Sequence, residues 1–194
     1  MTTTTDSPVN ITALFQQLGQ LEGKAEIVDG RIVVMSPTQP WPSEVAGEIY
    51  SSLRLYARRV RIGRAVTDGA VFRVQLPHRQ SFSPDAAYHT GLVRPMQYYE
   101  GAPIFAVEVR SAGDYGPRAE RLQAEKRDDY FACGTQVVWD VDLLSRDVIR
   151  FYRAADPTTP VVFHVDDIAH AEPAVPGWTV TVRELLPEDW EEPG

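Results

Sequence analysis

The sequence predicts an α/β sandwich, a mixed central sheet flanked by helices with a β-hairpin near its N-terminus. Three observations predict it. Two long stretches, at about 43–61 and 114–132, carry helical spacing, and short β-prone runs lie on either side of each. Between them, residues 103–109 read PIFAVEV, a nearly continuous apolar run of the kind a central strand covered on both faces requires.

Taken in order, residues 1–9 form a Thr-rich polar tail without periodicity, which is expected to be disordered. No internal repeat or linker divides residues 10–190, so a single domain is expected there. Asn10 can cap a short helix running to about Leu21. AEIVDG and RIVVMS then flank Asp29 and Gly30, a strong hairpin signal. After Pro37, Pro40 and Pro42, the residues Val45, Ile49, Leu53, Tyr56 and Val60 recur at three- and four-residue steps, with Arg54, Arg58 and Arg61 on the far side. Strand-like runs follow at 65–67 and 71–76, then in SFSPDAAYH, before a long polar loop. Asp114, Gly116 and Pro117 open the second long helix, which Gly134 stops. TQVVWDVD, DVIRFYR and PVVFHV supply further strands, and Thr181 with Glu184 has capping-box spacing for a last helical turn through Leu186.

Composition narrows the function. A formal charge of -8 and a pI near 5.0 argue against a protein that coats nucleic acid through bulk electrostatics. One cysteine, Cys133, and four scattered histidines exclude a thiolate-rich zinc site, so any metal must sit mainly on carboxylates. No apolar run approaches a membrane span and the N-terminus lacks a signal pattern, so the expected setting is cytoplasmic, with no membrane partner. The 19 basic residues are 17 arginines and two lysines, Lys24 and Lys126, which makes the lysines conspicuous.

Three charged residues stand where local pattern calls for apolar ones. Asp85 opens a strand. Glu108 interrupts the most hydrophobic strand of the chain, where an unpaired carboxylate would lose several kcal/mol of hydration. Lys126 lies on the stripe formed by Ala119, Leu122, Tyr130 and Cys133 of the second long helix, and so points inward. If these three converge, the carboxylates offer hard oxygen ligands for Mg²⁺ or Mn²⁺, and the lysine can orient a water or offset developing charge. Glu48, at the border of the first long helix's apolar stripe, is a further candidate ligand. Arg110, Arg118 and Arg127 are candidate contacts to a nucleic-acid backbone. The same residues also read as a buried Glu108–Lys126 ion pair with Asp85 as a strand-start turn residue, and pattern alone leaves both readings open. Asp140 and Asp142 suit a turn network, the histidines lack ligand spacing, and Ser111 and Cys133 lack the setting of an activated nucleophile.

SPDAAYH, FAVEVRS and EKRDDYFACGTQVVWDVD, in that order and preceded by EIVDGRIVVMSP, resemble the Uma-two restriction endonuclease family of the PD-(D/E)XK nuclease superfamily. The resemblance spans about 26–182. It implies a restriction-endonuclease-like fold and a divalent-metal-dependent endonuclease acting on DNA, with Pro84-Asp85 as the PD element, Glu108 as the second acid and Lys126 as the lysine moved into the following helix. Arg110 stands where the superfamily's simple pattern has lysine, and it cannot transfer a proton. Pro42 and Ser43 stand where many relatives carry a histidine. The alternative function is a catalytically inactive module of the same fold that binds nucleic acid or forms oligomers, such as a homodimer.

Overall fold

A computed structural model describes residues 10–193. The expected N-terminal tail lies outside the described residues. The elements in chain order are α1 (Ile11–Leu18), β1 (Ala25–Val28), β2 (Arg31–Val34), α2 (Pro40–Val60), β3 (Arg64–Thr67), β4 (Phe72–Arg73), β5 (Ser81–Phe82), β6 (Ala86–His89), β7 (Tyr99–Glu100), β8 (Phe105–Val109), α3 (Pro117–Ala132), β9 (Val137–Val141), β10 (Ile149–Arg153), β11 (Asp156–Phe163), β12 (Ile168–His170) and β13 (Thr179–Thr181), followed by a 3₁₀ turn at Val182–Leu185.

The main sheet has the order β11-β10-β9-β8-β6-β3, and only its β8–β9 pairing is parallel. This is the mixed sheet the apolar run at 103–109 called for. Strand alternation then sorts its side chains onto two faces. Phe105, Val107, Val137 and Trp139 join Val45, Ile49, Leu53 and Tyr56 of α2 in the larger core, which Trp178 and the chain's C-terminal elements close. Ala87, Ala106 and Val138 point the other way, toward Tyr130 of α3 and Phe72 and Phe82 of the small sheet β5-β4-β7.

Local chemistry explains the elements that carry the site. Asp29 and Gly30 both adopt positive φ, 50° and 66°, as a tight hairpin turn requires, and β1 pairs β2 from Ala25↔Val34 to Val28↔Arg31. The hairpin docks on residues 79–81: the Gln80 N–H donates to the Ile27 carbonyl at 2.9 Å, and the Ile27 N–H to Ser81 Oγ at 2.7 Å. Asn10 caps α1 by accepting from Ala13 N at 3.1 Å. α2 begins three residues earlier than its periodicity suggested, because prolines at 40 and 42 are tolerated in a first turn whose N–H groups have no helical partner. The capping box expected at Thr181 and Glu184 does not form. Thr181 makes no side-chain cap, and the segment is one 3₁₀ turn.

Candidate functional site

Two strands and their register build the floor of the site. β6 and β8 pair antiparallel with Ala86↔Val107 and Ala87↔Ala106, and the ladder continues through Asp85 N–H to Val107 O at 3.0 Å. Asp85 therefore lies opposite Glu108, on the face that α3 covers. The neighbouring parallel pair Glu108↔Asp140 extends the row of charged positions across the sheet. A cleft of about 1030 Å³ opens over Asp85 and Glu108, lined also by Lys24, Glu26, Arg79, Lys126 and Asp129.

The side chains form two ionic clusters within the cleft, one around Glu108 and Glu26 and one around Asp85. Lys126 Nζ is 2.9 Å from Oε1 of Glu108 and 2.9 Å from Oε1 of Glu26. Tyr130, one turn further along α3, donates its hydroxyl to Glu108 Oε1 at 2.7 Å. Glu26 is buried from β1 and also accepts from Arg79 Nη1 at 2.6 Å and from the Ser83 N–H at 2.8 Å. Arg79 Nε donates to Asp129 Oδ2 at 2.7 Å, and Asp129 Oδ1 lies 2.6 Å from His78 Nε2. On the other side, Asp85 Oδ2 accepts the Val109 N–H at 2.7 Å while Oδ1 is 2.5 Å from Lys24 Nζ. Lys24 in turn reaches Asp68 at 2.8 Å.

Electrostatics separates the two glutamates. Burial raises the pKa of Glu108, Lys126 offsets this only in part, and the charge of Asp85 adds to the rise. Burial also works against ionised Glu26, but Lys126 and Arg79 together hold its pKa below the ordinary carboxylate value. Burial opposes charge on Lys126, and Glu108 and Glu26 more than compensate, so its pKa is raised. The lysine is an ammonium at any working pH.

The structure thus brings Asp85, Glu108 and Lys126 to one cleft. Glu48 does not join them. It is exposed on α2, which covers the opposite face of the sheet, and its border position on the helix could not reveal which face α2 would take. Arg110 is buried and fully engaged, donating to both Asp140 oxygens at 2.7 Å and to Glu120, so it is an internal brace rather than a free backbone contact. Arg127 turns away from the cleft and stacks on Tyr152 of β10, with its guanidinium carbon 3.7 Å from the ring centre. Arg118 is exposed and lies on the α3 ridge of Leu122 and Lys126 at four-residue steps. Leu122, expected in the apolar stripe, is 54% exposed at the cleft. Pattern reading missed Glu26, Arg79 and Asp129. It had flagged Lys24 as one of two lysines without giving it a place.

Among the described residues, no three His, Cys, Asp or Glu side chains are grouped to hold a metal on their own. The donor set does fit a cation of the Mg²⁺ class. Such ions are held by one or two carboxylates and complete their shell with water and phosphate oxygens. Asp85 and Glu108 supply hard oxygens on neighbouring strands, and Glu108 Oε2 has no hydrogen-bonding partner among the described residues.

A mixed sheet with one covered acidic face, crossed by a lysine-bearing helix, defines a restriction-endonuclease-like fold. The family model described as "Uma2: Putative restriction endonuclease" matches residues 13–183, and the chain belongs to that family. Among solved structures, it is similar to one from Anabaena variabilis described as a putative nuclease belonging to DUF820, with 18% identity and a TM-score of 0.69. The match covers 89% of this chain and 96% of that one, and it shows the shared fold. None of the curated proteins matches. Among the described residues, no helix is long and apolar enough to cross a membrane.

Proposed function

We propose that the cleft hydrolyses a phosphodiester bond in DNA, with Asp85 and Glu108 holding Mg²⁺ or Mn²⁺ and Lys126 acting on the phosphate. One observation carries this reading: two acids opposite each other on adjacent strands, with an ammonium from the covering helix 2.9 Å from one of them. The cation would supply a Lewis acid that acidifies water and neutralises the scissile phosphate. Lys126, held charged by Glu108 and Glu26, serves as a fixed positive charge facing the pentavalent transition state, not as a proton acceptor. Glu26 and Arg79 position it, since Glu26 is clamped by Arg79 and by the Ser83 N–H where it meets the lysine. Arg118, exposed two turns before Lys126 on the same ridge, is suited to a flanking phosphate.

The test is cleavage of plasmid and single-stranded DNA with Mg²⁺ or Mn²⁺, abolished by chelation and by Asp85→Asn or Glu108→Gln. A second reading, a non-catalytic module of the same fold, is favoured by the internal pairing of Asp85, Glu108 and Glu26 with cations. DNA retained by the protein without cleavage in any divalent metal would select it.

A further inference from the structure

Lys24 is a charged group of the cleft to which phosphodiester hydrolysis assigns no task. Its placement is specific. It and Lys126 are the chain's two lysines, and each is paired with two acids at the cleft. Lys24 directly precedes β1, and its side chain is 13% exposed. The ammonium bridges two acids, 2.5 Å from Asp85 Oδ1 and 2.8 Å from Asp68 Oδ1. The other oxygen of Asp85 is taken by the Val109 N–H. The carboxylate assigned to a divalent cation therefore already holds a cation, on the oxygen that the backbone leaves free.

An ammonium and a divalent ion on one carboxylate oxygen repel each other strongly in a partly desolvated cleft. Asp68 offers the ammonium a second place. It lies in the turn after β3, its side chain is 36% exposed, and it already contacts Lys24. An ammonium that leaves Asp85 therefore keeps one of its two present partners.

We propose that Lys24 is a built-in competitor for the divalent cation at Asp85: without metal its ammonium closes the carboxylate, and metal binding moves it onto Asp68. The inference rests on the reading of Asp85 and Glu108 as cation ligands. In the metal-free cleft each of the two neighbouring acids has its own lysine, Lys24 for Asp85 and Lys126 for Glu108.

Two measurements without an activity readout test it. In calorimetric titrations with Mn²⁺, Lys24→Met, or Lys24→Gln if the first variant does not fold, should bind at least about tenfold tighter than the wild type. Lys24→Arg should stay near the wild type, and Asp85→Asn should remove binding in every background. In amine acylation read by mass spectrometry, saturating Mn²⁺ should raise labelling at Lys24 severalfold and leave Lys126 unchanged. Equal or weaker Mn²⁺ affinity in Lys24→Met, or unaltered Lys24 labelling, would overturn the competition while leaving Asp85-dependent metal binding intact. No Mn²⁺ binding by either wild type or Lys24→Met would overturn both the competition and the metal reading.

Discussion

Lys126 is held by Glu108 through a 2.9 Å contact to the same carboxylate oxygen that accepts the Tyr130 hydroxyl at 2.7 Å. The lysine and tyrosine come from successive turns of α3 and the acid from β8, so this contact also fastens the helix to the sheet. Lys126→Met leaves Glu108 without its nearest cation and Glu26 with Arg79 alone. Breaking a buried pair from one side is costly, and a loss of about 2–4 kcal/mol is expected in urea unfolding. DNA cleavage should fall at least about 100-fold, since a fixed charge at the phosphate is lost. Full cleavage in a folded Lys126→Met protein would remove the lysine from the mechanism.

Glu108 is predicted to cost stability at neutral pH. Burial raises its pKa in the folded state, with partial relief from Lys126, so ionising it as pH rises favours the unfolded chain. Glu108→Gln removes that ionisation. The stability of the variant relative to wild type should therefore increase from acid to neutral pH, while cleavage is lost. Urea unfolding of both proteins at pH 4 and pH 8 measures the slope, and a flat or falling difference would contradict it.

Glu26 has the opposite sign. Lys126 and Arg79 outweigh its burial and hold its pKa down, so its contribution is present above the ordinary value of 4.5 and is lost as pH falls through the lower folded value. Glu26→Gln should be less stable than wild type by about 2–4 kcal/mol at pH 7, because Arg79 and Lys126 both lose a buried partner. That gap should narrow below pH 4.5. A gap independent of pH would mean that packing, not charge, explains the loss.

The parts of the site readable in the sequence were those that broke a local pattern. Glu108 interrupts an apolar strand and Lys126 sits on an inward stripe, so each announced itself. Asp85 follows from its place before a β-prone run, and antiparallel register does the rest. Glu26 was hidden for a physical reason. In a two-stranded hairpin, alternate side chains face water unless something covers them, and the covering segment at 79–83 lies far along the chain. Arg79 was hidden by its loop setting. The central strand, both long helices and the Asp29-Gly30 turn depended on short-range rules and were legible. Which face of the sheet each helix would take was not, and Glu48 was misplaced for that reason.

Glu48→Ala is accordingly expected to be silent. The side chain is exposed on α2, across the sheet from Asp85 and Glu108. Stability should stay within about 0.5 kcal/mol, and metal-dependent cleavage within about twofold, of wild type. A loss of Mn²⁺ binding in this variant would restore Glu48 as a ligand.

Arg110 occupies the position where the superfamily's pattern carries lysine, and its task here is architectural. Its guanidinium forks onto Asp140 of β9 and reaches Glu120 of α3, tying the end of β8 to both elements while 3% of its side chain is exposed. Arg110→Ala would leave Asp140 buried without its cation, and a loss of about 3–5 kcal/mol in urea unfolding is expected. Arg110→Lys should recover only part, because an ammonium cannot reproduce the planar two-point contact. Glu120→Ala should cost less than about 1 kcal/mol, since that carboxylate is 52% exposed and solvent screens the pair. In the folded Arg110→Lys protein, the salt dependence of DNA binding should match wild type, because a buried, fully engaged guanidinium releases no counterion from the phosphate backbone. A salt slope reduced by about one in that variant would return Arg110 to the nucleic-acid interface.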